Sequence, residues 1–308
     1  MKNPIIRGKG WLKDFPDFRD HSPRTTEITP KQAQKGITKS VHAILQEVAK
    51  APASKKKAAT VKTPTKVDLR HWCPPIRNQG QIGSCTAHAS LGMYEYFENR
   101  AFGHHVDGSR LFQYKATRNL LKKTGDDGAF LRTAMASLAL FGVVPEKYWP
   151  YNEEKFNDEP TAFLYSFAHN FQAISYYRLD PVGVTKPQVL ETIKDHLRKG
   201  LPSIFGFTCY ASLDKADDGK IPFPDKKEDT DGGHAIMCVG YDDNLKITNP
   251  LNKSIVTTGA IMIRNSWGTD WGEAGYGWLP YEYILRGLAE DWWTMTKGEW
   301  IDTKQFGL

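Results

Sequence analysis

The stretch RNQGQIGSCTAHAS, residues 77–90, decides how this chain is read. Gly80 and Gly83 permit tight turns. The residues that follow place Ala87, Leu91, Tyr94 and Phe97 or Ala101 along one side of a helix from Ser84 to about Ala101. Cys85 then sits in the first turn of that helix. A thiol there faces unpaired backbone N–H groups and the positive end of the helix dipole, which favours the nucleophilic thiolate.

A thiolate needs a proton partner. GGHAIMCVGY, residues 232–241, puts His234 at the start of an apolar strand, behind two glycines that leave room for a bound chain. Imidazole can hold the thiol proton and later deliver it to a leaving amine. RNSWGTDWGEAGYGW, residues 264–278, ends an apolar strand at Asn265, whose side chain can accept from the imidazole N–H and fix the ring. Trp267 can cover that bond. His234 follows Cys85 by 149 residues and Asn265 follows His234 by 31.

With VDLR at 67–70, these blocks resemble the papain family of cysteine peptidases over roughly residues 67–285, closest to its disulfide-free microbial branch. The resemblance implies an α+β, two-lobed fold: a helical lobe over about 67–165, a β-barrel-like lobe after it, and a site in the groove between. It implies peptide-bond hydrolysis through a Cys85 thiolate and a thioester, with His234 as acid and base and Asn265 as its orienting partner. Gln79 takes the place of the family's oxyanion donor, alongside the Cys85 backbone N–H. Gly83, Asp127, Gly128, Phe130, Gly233 and Trp267 are the implied substrate-binding residues. Ile82 stands where the family usually has a disulfide cysteine, and Thr86 and His88 replace its usual aromatic residues. His88, one helical turn after Cys85, is the rival base.

Residues 1–66 carry fifteen Lys and Arg against five Asp and Glu, net +10, which leaves net −4 on the rest. By the resemblance this segment is an inhibitory propeptide and linker ahead of a peptidase domain at 67–308, although the family's long helical propeptide motif is not visible. FPDF, with Phe15, Pro16 and Phe18, is expected to lie in or near the cleft and to block access to Cys85. Ile37, Val41, Ile44, Leu45 and Val48 suggest an amphipathic helix, and Lys-rich 51–66 an exposed linker cut near Lys55–Lys57. Acid should loosen a segment held by charge.

The composition, 308 residues with 40% hydrophobic and 25% charged, suits one domain plus an extension. No run approaches the roughly 20 apolar residues that span a bilayer, and MKNPIIRGKGW lacks a secretory apolar stretch, so a cytoplasmic chain without membrane partners is expected. Four cysteines without a CxxC pair argue against disulfides and structural zinc. Basic residues without interleaved aromatics argue against nucleic acid. The expected partners are peptide or protein substrates and the chain's own propeptide, in a monomer with no cofactor. Further helices are expected at 129–141 and 187–199, and strands at QAISYYRL, SIFGFT, HAIMCVGY, AIMIRNSW and GYGWLPY. Trp271, Trp278, Trp292 and Trp293 are read as packing residues. Two rivals stand: a transglutaminase-type acyltransferase and a catalytically silent peptide-binding module.

Overall fold

The computed structural model describes residues 7–34, 36–50, 63–169, 175–216 and 218–306. An N-terminal arm carries a short strand β1 (Trp11–Leu12) and helices α1 (Pro30–Gln34) and α2 (Val41–Lys50). The body begins with β2 (Lys66–Asp68). Its first half is helical: α3 (Cys85–Phe102), α4 (Arg110–Leu120), then β3 (Ala129–Phe130) running into α5 (Leu131–Phe141), and α6 (Ala162–Ala168). Its second half holds β4 (Ser175–Arg178), α7 (Lys186–Arg198), β5 (Ser203–Tyr210), β6 (Thr230–Thr248), β7 (Val256–Arg264), β8 (Tyr276–Pro280), α8 (Tyr281–Leu285), β9 (Ala289–Thr296) and α9 (Gly298–Asp302). The expected α+β fold is observed.

α3 is buried on nearly every side from Cys85 to Glu98. Its one deeply buried acid, Glu95, is neutralised by Arg110 at 2.6 Å and accepts the Gly108 N–H at 2.9 Å, as a charge away from water requires. Gly103 in the left-handed region ends the helix, its N–H returning to Asn99 O. The strands form one antiparallel sheet in the order β4-β9-β5-β6-β7-β8, with β2 pairing on β6. α3 packs against β6, so the N-terminus of α3 and the His234 end of β6 meet at one edge of the core. Phe205 stacks on Trp292 at 3.9 Å, and Phe97 stacks on Trp300 at 5.0 Å.

The expected strands and helices are present, and further elements join them, among them α4 and β9. α4 is buried from Arg110 to Arg118, its polar residues each meeting a specific partner: Gln113 reaches Ala134 O at 2.8 Å and Arg118 reaches Gly125 O at 2.9 Å. β9 carries buried polar residues, Asp291 and Thr294, whose partners lie far away in sequence. The helix expected near Ile37–Val48 is α2, and Val41, Ile44 and Val48 join the main core. Residues 51–62 of the linker, with Lys55–Lys57, lie outside the described residues.

Candidate active site

Cys85 opens α3 and is fully buried. The backbone N–H of Ala235 points at its Sγ from 3.4 Å, which brings the neighbouring His234 alongside. The imidazole Nε2 lies 2.8 Å from Asn265 Oδ1. That oxygen also accepts the Ser266 backbone N–H at 2.8 Å, which fixes the carboxamide with its oxygen toward the ring. Nε2 must therefore carry the hydrogen, leaving Nδ1 as the basic nitrogen; it is buried and has no hydrogen-bond partner among the described residues. Trp267 stacks on the imidazole at 4.6 Å, and Phe207 meets it edge-on. The rival His88 is turned away into the body, Nδ1 lying 3.1 Å from Ser84 O and the ring against Tyr151.

Gln79 is held from three sides. Its N–H donates to Ser266 O at 2.8 Å, its Oε1 accepts from Ser266 Oγ at 2.5 Å, and its carbonyl accepts from Tyr151 OH at 2.8 Å. Ser266 and Tyr151 thus aim the amide nitrogen, a role that motif reading missed. That nitrogen donates to Ile82 O at 3.0 Å and to Gly8 O at 3.1 Å.

Gly8 belongs to the arm, which threads the site. Gly8 N–H donates to Gly80 O at 2.9 Å, and Ala129 N–H donates to Gly10 O at 2.8 Å. Trp11–Leu12 then pairs in parallel with Ala129–Phe130. The passage is so narrow that a Cβ on Gly8 would collide with the Ile82 carbonyl, and one on Gly10 with the Gly83 carbonyl. Gly128, at φ +72°, lies directly against Gly10 O. Gly206 and Gly233 make room for the Trp11 ring, whose Nε1 donates to the buried carboxylate of Asp291 at 3.1 Å. Lys9–Asp231 and Lys13–Glu290 are ion pairs on either side. Arg7 lies over the Trp267 ring.

Covering the site changes its chemistry. Burial pushes the Cys85 thiol up to about 11, outweighing the backbone N–H groups of Ala235, Gly10, Thr86 and Cys85 itself that draw it down. Burial likewise pushes His234 down to about 4; the Asn265 bond opposes this and the Lys9 charge adds to it. Across the intervening pH range both groups are neutral. The helix terminus was expected to favour the thiolate, but in the covered site burial wins.

The sequence-derived candidates are distributed as follows. Cys85, His234, Asn265, Gln79, Gly83, Gly128, Gly233 and Trp267 all meet at the slot, and Phe130 joins through its backbone pairing with Leu12. Asp127 does not: it is exposed and its carboxylate lies back over Gly125. The placement of Phe15, Pro16 and Phe18 in the cleft is corrected. Phe15 is 69% and Phe18 90% exposed, beyond the slot, with Phe15 O taking a 2.9 Å bond from Arg132. A slot that rejects a Cβ admits Gly-Lys-Gly and excludes Phe-Pro-Asp-Phe. The signal for this was the alternation of glycine ahead of a tryptophan in GKGW.

A thiol at a helix start beside an imidazole–carboxamide pair, on an α+β body with a sheet-and-helix groove, defines a cysteine-type peptidase. The chain belongs to the papain family of cysteine proteases, whose family model matches residues 63–288. It is 33% identical over 223 residues to an uncharacterized peptidase C1-like protein of Acanthamoeba polyphaga mimivirus, covering 70% of this chain and 68% of that one. A cathepsin B-like protein of Giardia intestinalis is 25% identical over 86% of this chain and 87% of its own. The crystal structure of xylellain, a cysteine protease from Xylella fastidiosa, superposes with a TM-score of 0.70 at 30% identity, covering 96% of this chain and 98% of that one.

Proposed function

We propose that this peptidase is an endopeptidase made as a zymogen, with the arm through residue 66 as its inhibitory propeptide and the body from 67 as its catalytic domain. The observation that supports this most is the Gly8–Leu12 chain lying over Cys85, with Gly8 O on the Gln79 amide. It acts in two ways. It fills the place of a peptide substrate, and it desolvates the thiol and imidazole so that neither ionises.

Once the arm leaves, water and peptide dipoles reach the pair and the proton moves from Cys85 Sγ to His234 Nδ1. The thiolate attacks the peptide carbonyl, forming a C–S bond and an oxyanion held by Gln79 Nε2 and the Cys85 N–H. Collapse expels the amine, which takes the proton from His234, and leaves a thioester. His234 then removes a proton from water, hydroxide adds to the thioester, and the acid departs with the thiolate restored. Asn265 keeps the ring in the productive tautomer throughout. A reducing compartment such as the cytoplasm suits a nucleophilic thiol uncovered by the arm's departure.

The test is incubation of wild type and Cys85→Ala under reducing conditions across pH 4 to 8, following intact mass and peptide hydrolysis. Wild type alone should lose the arm and gain activity. Equal processing of both, with no hydrolysis by either, would reject the reading.

A further inference from the structure

Gly10 passes between two walls that the chemistry above takes as given. A Cβ on Gly83 would lie 3.3 Å from Gly10 Cα and 3.3 Å from Gly128 N, so the slot is one backbone wide. Gly83 belongs to the turn before α3 and Gly128 to the loop between α4 and β3. Asp126 joins them. Its Oδ1 accepts the Gly83 N–H at 2.9 Å, with Oδ2 at 3.1 Å, and the same carboxylate accepts Tyr114 OH at 2.6 Å. Tyr114 OH in turn accepts the Gly128 N–H at 3.2 Å.

This chain of bonds is anchored in the body. Tyr114 is fully buried on α4, and the Arg118 guanidinium lies 4.4 Å over its ring. Arg118 also donates to Thr124 O at 3.2 Å and Gly125 O at 2.9 Å, which ties the loop carrying Asp126 to the same helix. All four cysteines are free thiols, and Ile82 adjoins Gly83 where the family resemblance calls for a bridging cysteine. Asp126 is itself exposed, so losing its carboxylate opens no core cavity.

We propose that Asp126 is a positioning residue: through Tyr114 it sets the distance between the Gly83 and Gly128 walls, and so the depth at which a substrate backbone seats against Cys85. The carboxylate does by hydrogen bonding what a covalent bridge would do, without placing a second reactive sulfur beside the nucleophile. This rests on reading the slot as the peptide site of an activatable peptidase.

The experiment takes the full-length chain through activation under reducing conditions and measures kcat, KM and Tm with a fluorogenic peptide. The variants are Asp126→Ala, Asp126→Asn, Tyr114→Phe and Asp126→Ala with Tyr114→Phe. Asp126→Ala should raise KM about 10-fold, the size of one lost charge-assisted hydrogen bond, with a smaller change in kcat and a Tm lowered by no more than a few degrees. Asp126→Asn keeps an acceptor oxygen and should restore most of the loss. The double variant should be no worse than Asp126→Ala, because both members act through one clasp. An unchanged KM in Asp126→Ala, an Asn variant as poor as Ala, or additive losses in the double variant would each overturn the proposal. Wild type that sheds the arm and hydrolyses nothing refutes the reading of the slot, before any variant is compared.

Discussion

Two stretches of the arm, Gly8–Leu12 and Phe15–Phe18, lie a few residues apart and meet opposite fates. The second is the more hydrophobic and the stiffer, yet it stays in water; the first carries two glycines and enters the slot. Apolar burial would favour the aromatic stretch by roughly 1.5–3 kcal/mol for each ring fully buried. Backbone clearance overrides it, because no side chain fits between Gly83 and Gly128. The single large side chain that is buried, Trp11, is the one directed away from the narrow passage into space left by Gly206 and Gly233.

That contrast can be broken by substitution, with the release of Cys85 to iodoacetamide in the full-length chain as the readout. Trp11→Ala should have the largest effect. It empties the ring's pocket and leaves Asp291 without one donor, and at about 3 kcal/mol for a buried aromatic truncation labelling should rise about 100-fold. Gly10→Val should come next, since its Cβ meets the Gly83 carbonyl; overpacking costs of about 1–3 kcal/mol translate to a rise of about 10- to 100-fold.

The effect of pH should be smaller. Glu290 is partly buried, yet bonds from Lys13 and Lys186 hold it below the ordinary carboxylate range. A lowered carboxylate stabilises the covered state fully above its ordinary value of 4.5 and loses that contribution as pH falls through the lowered one. Labelling should therefore quicken below about pH 4.5 and, for Glu290→Gln, lose part of that acceleration. Asp291 is pushed up to about 6 by burial, against the Arg178 charge and the Trp11 and Trp293 bonds that draw it down. The smallest effect belongs to Phe15→Ser with Phe18→Ser, which should leave labelling within about twofold, as exposed substitutions within about 0.5 kcal/mol do. A large rise there would return the aromatic stretch to the cleft.

How far the sequence was legible follows from the same physics. Cys85, His234 and Asn265 could be read because each needs a particular residue type beside glycines or at a strand end, and those local needs leave motifs. Gln79 was named, but Ser266 and Tyr151, which aim it, were not. Ser266 lies inside a motif whose neighbours drew the attention, and Tyr151 acts from 72 residues away. Helix α4 was missed because its polar residues, Arg110, Gln113, Lys115 and Arg118, read as solvent-facing until their partners are known. Strand β9 was missed for a similar reason: Asp291 and Asp180 look like surface acids, but Arg178 sits between them in the core. The arm was expected in the cleft, but the wrong stretch of it was chosen, because FPDF was picked for its aromatic, Pro-constrained chain and clearance was not weighed; only the folded slot shows how little space there is. Asp126 offered no signal at all, being an exposed acid in a loop, one residue from the Asp127 that was chosen.

The most direct measurement is to insert a specific protease site within residues 51–62, cut the full-length chain, and follow Cys85 labelling together with peptide hydrolysis as the arm dissociates. If the arm masks a competent site, the two should rise together, and Cys85→Ala should show neither. A chain that loses the arm, labels freely at Cys85 and still cleaves no peptide would contradict the claim that masking by Gly8–Leu12 is what keeps this peptidase silent.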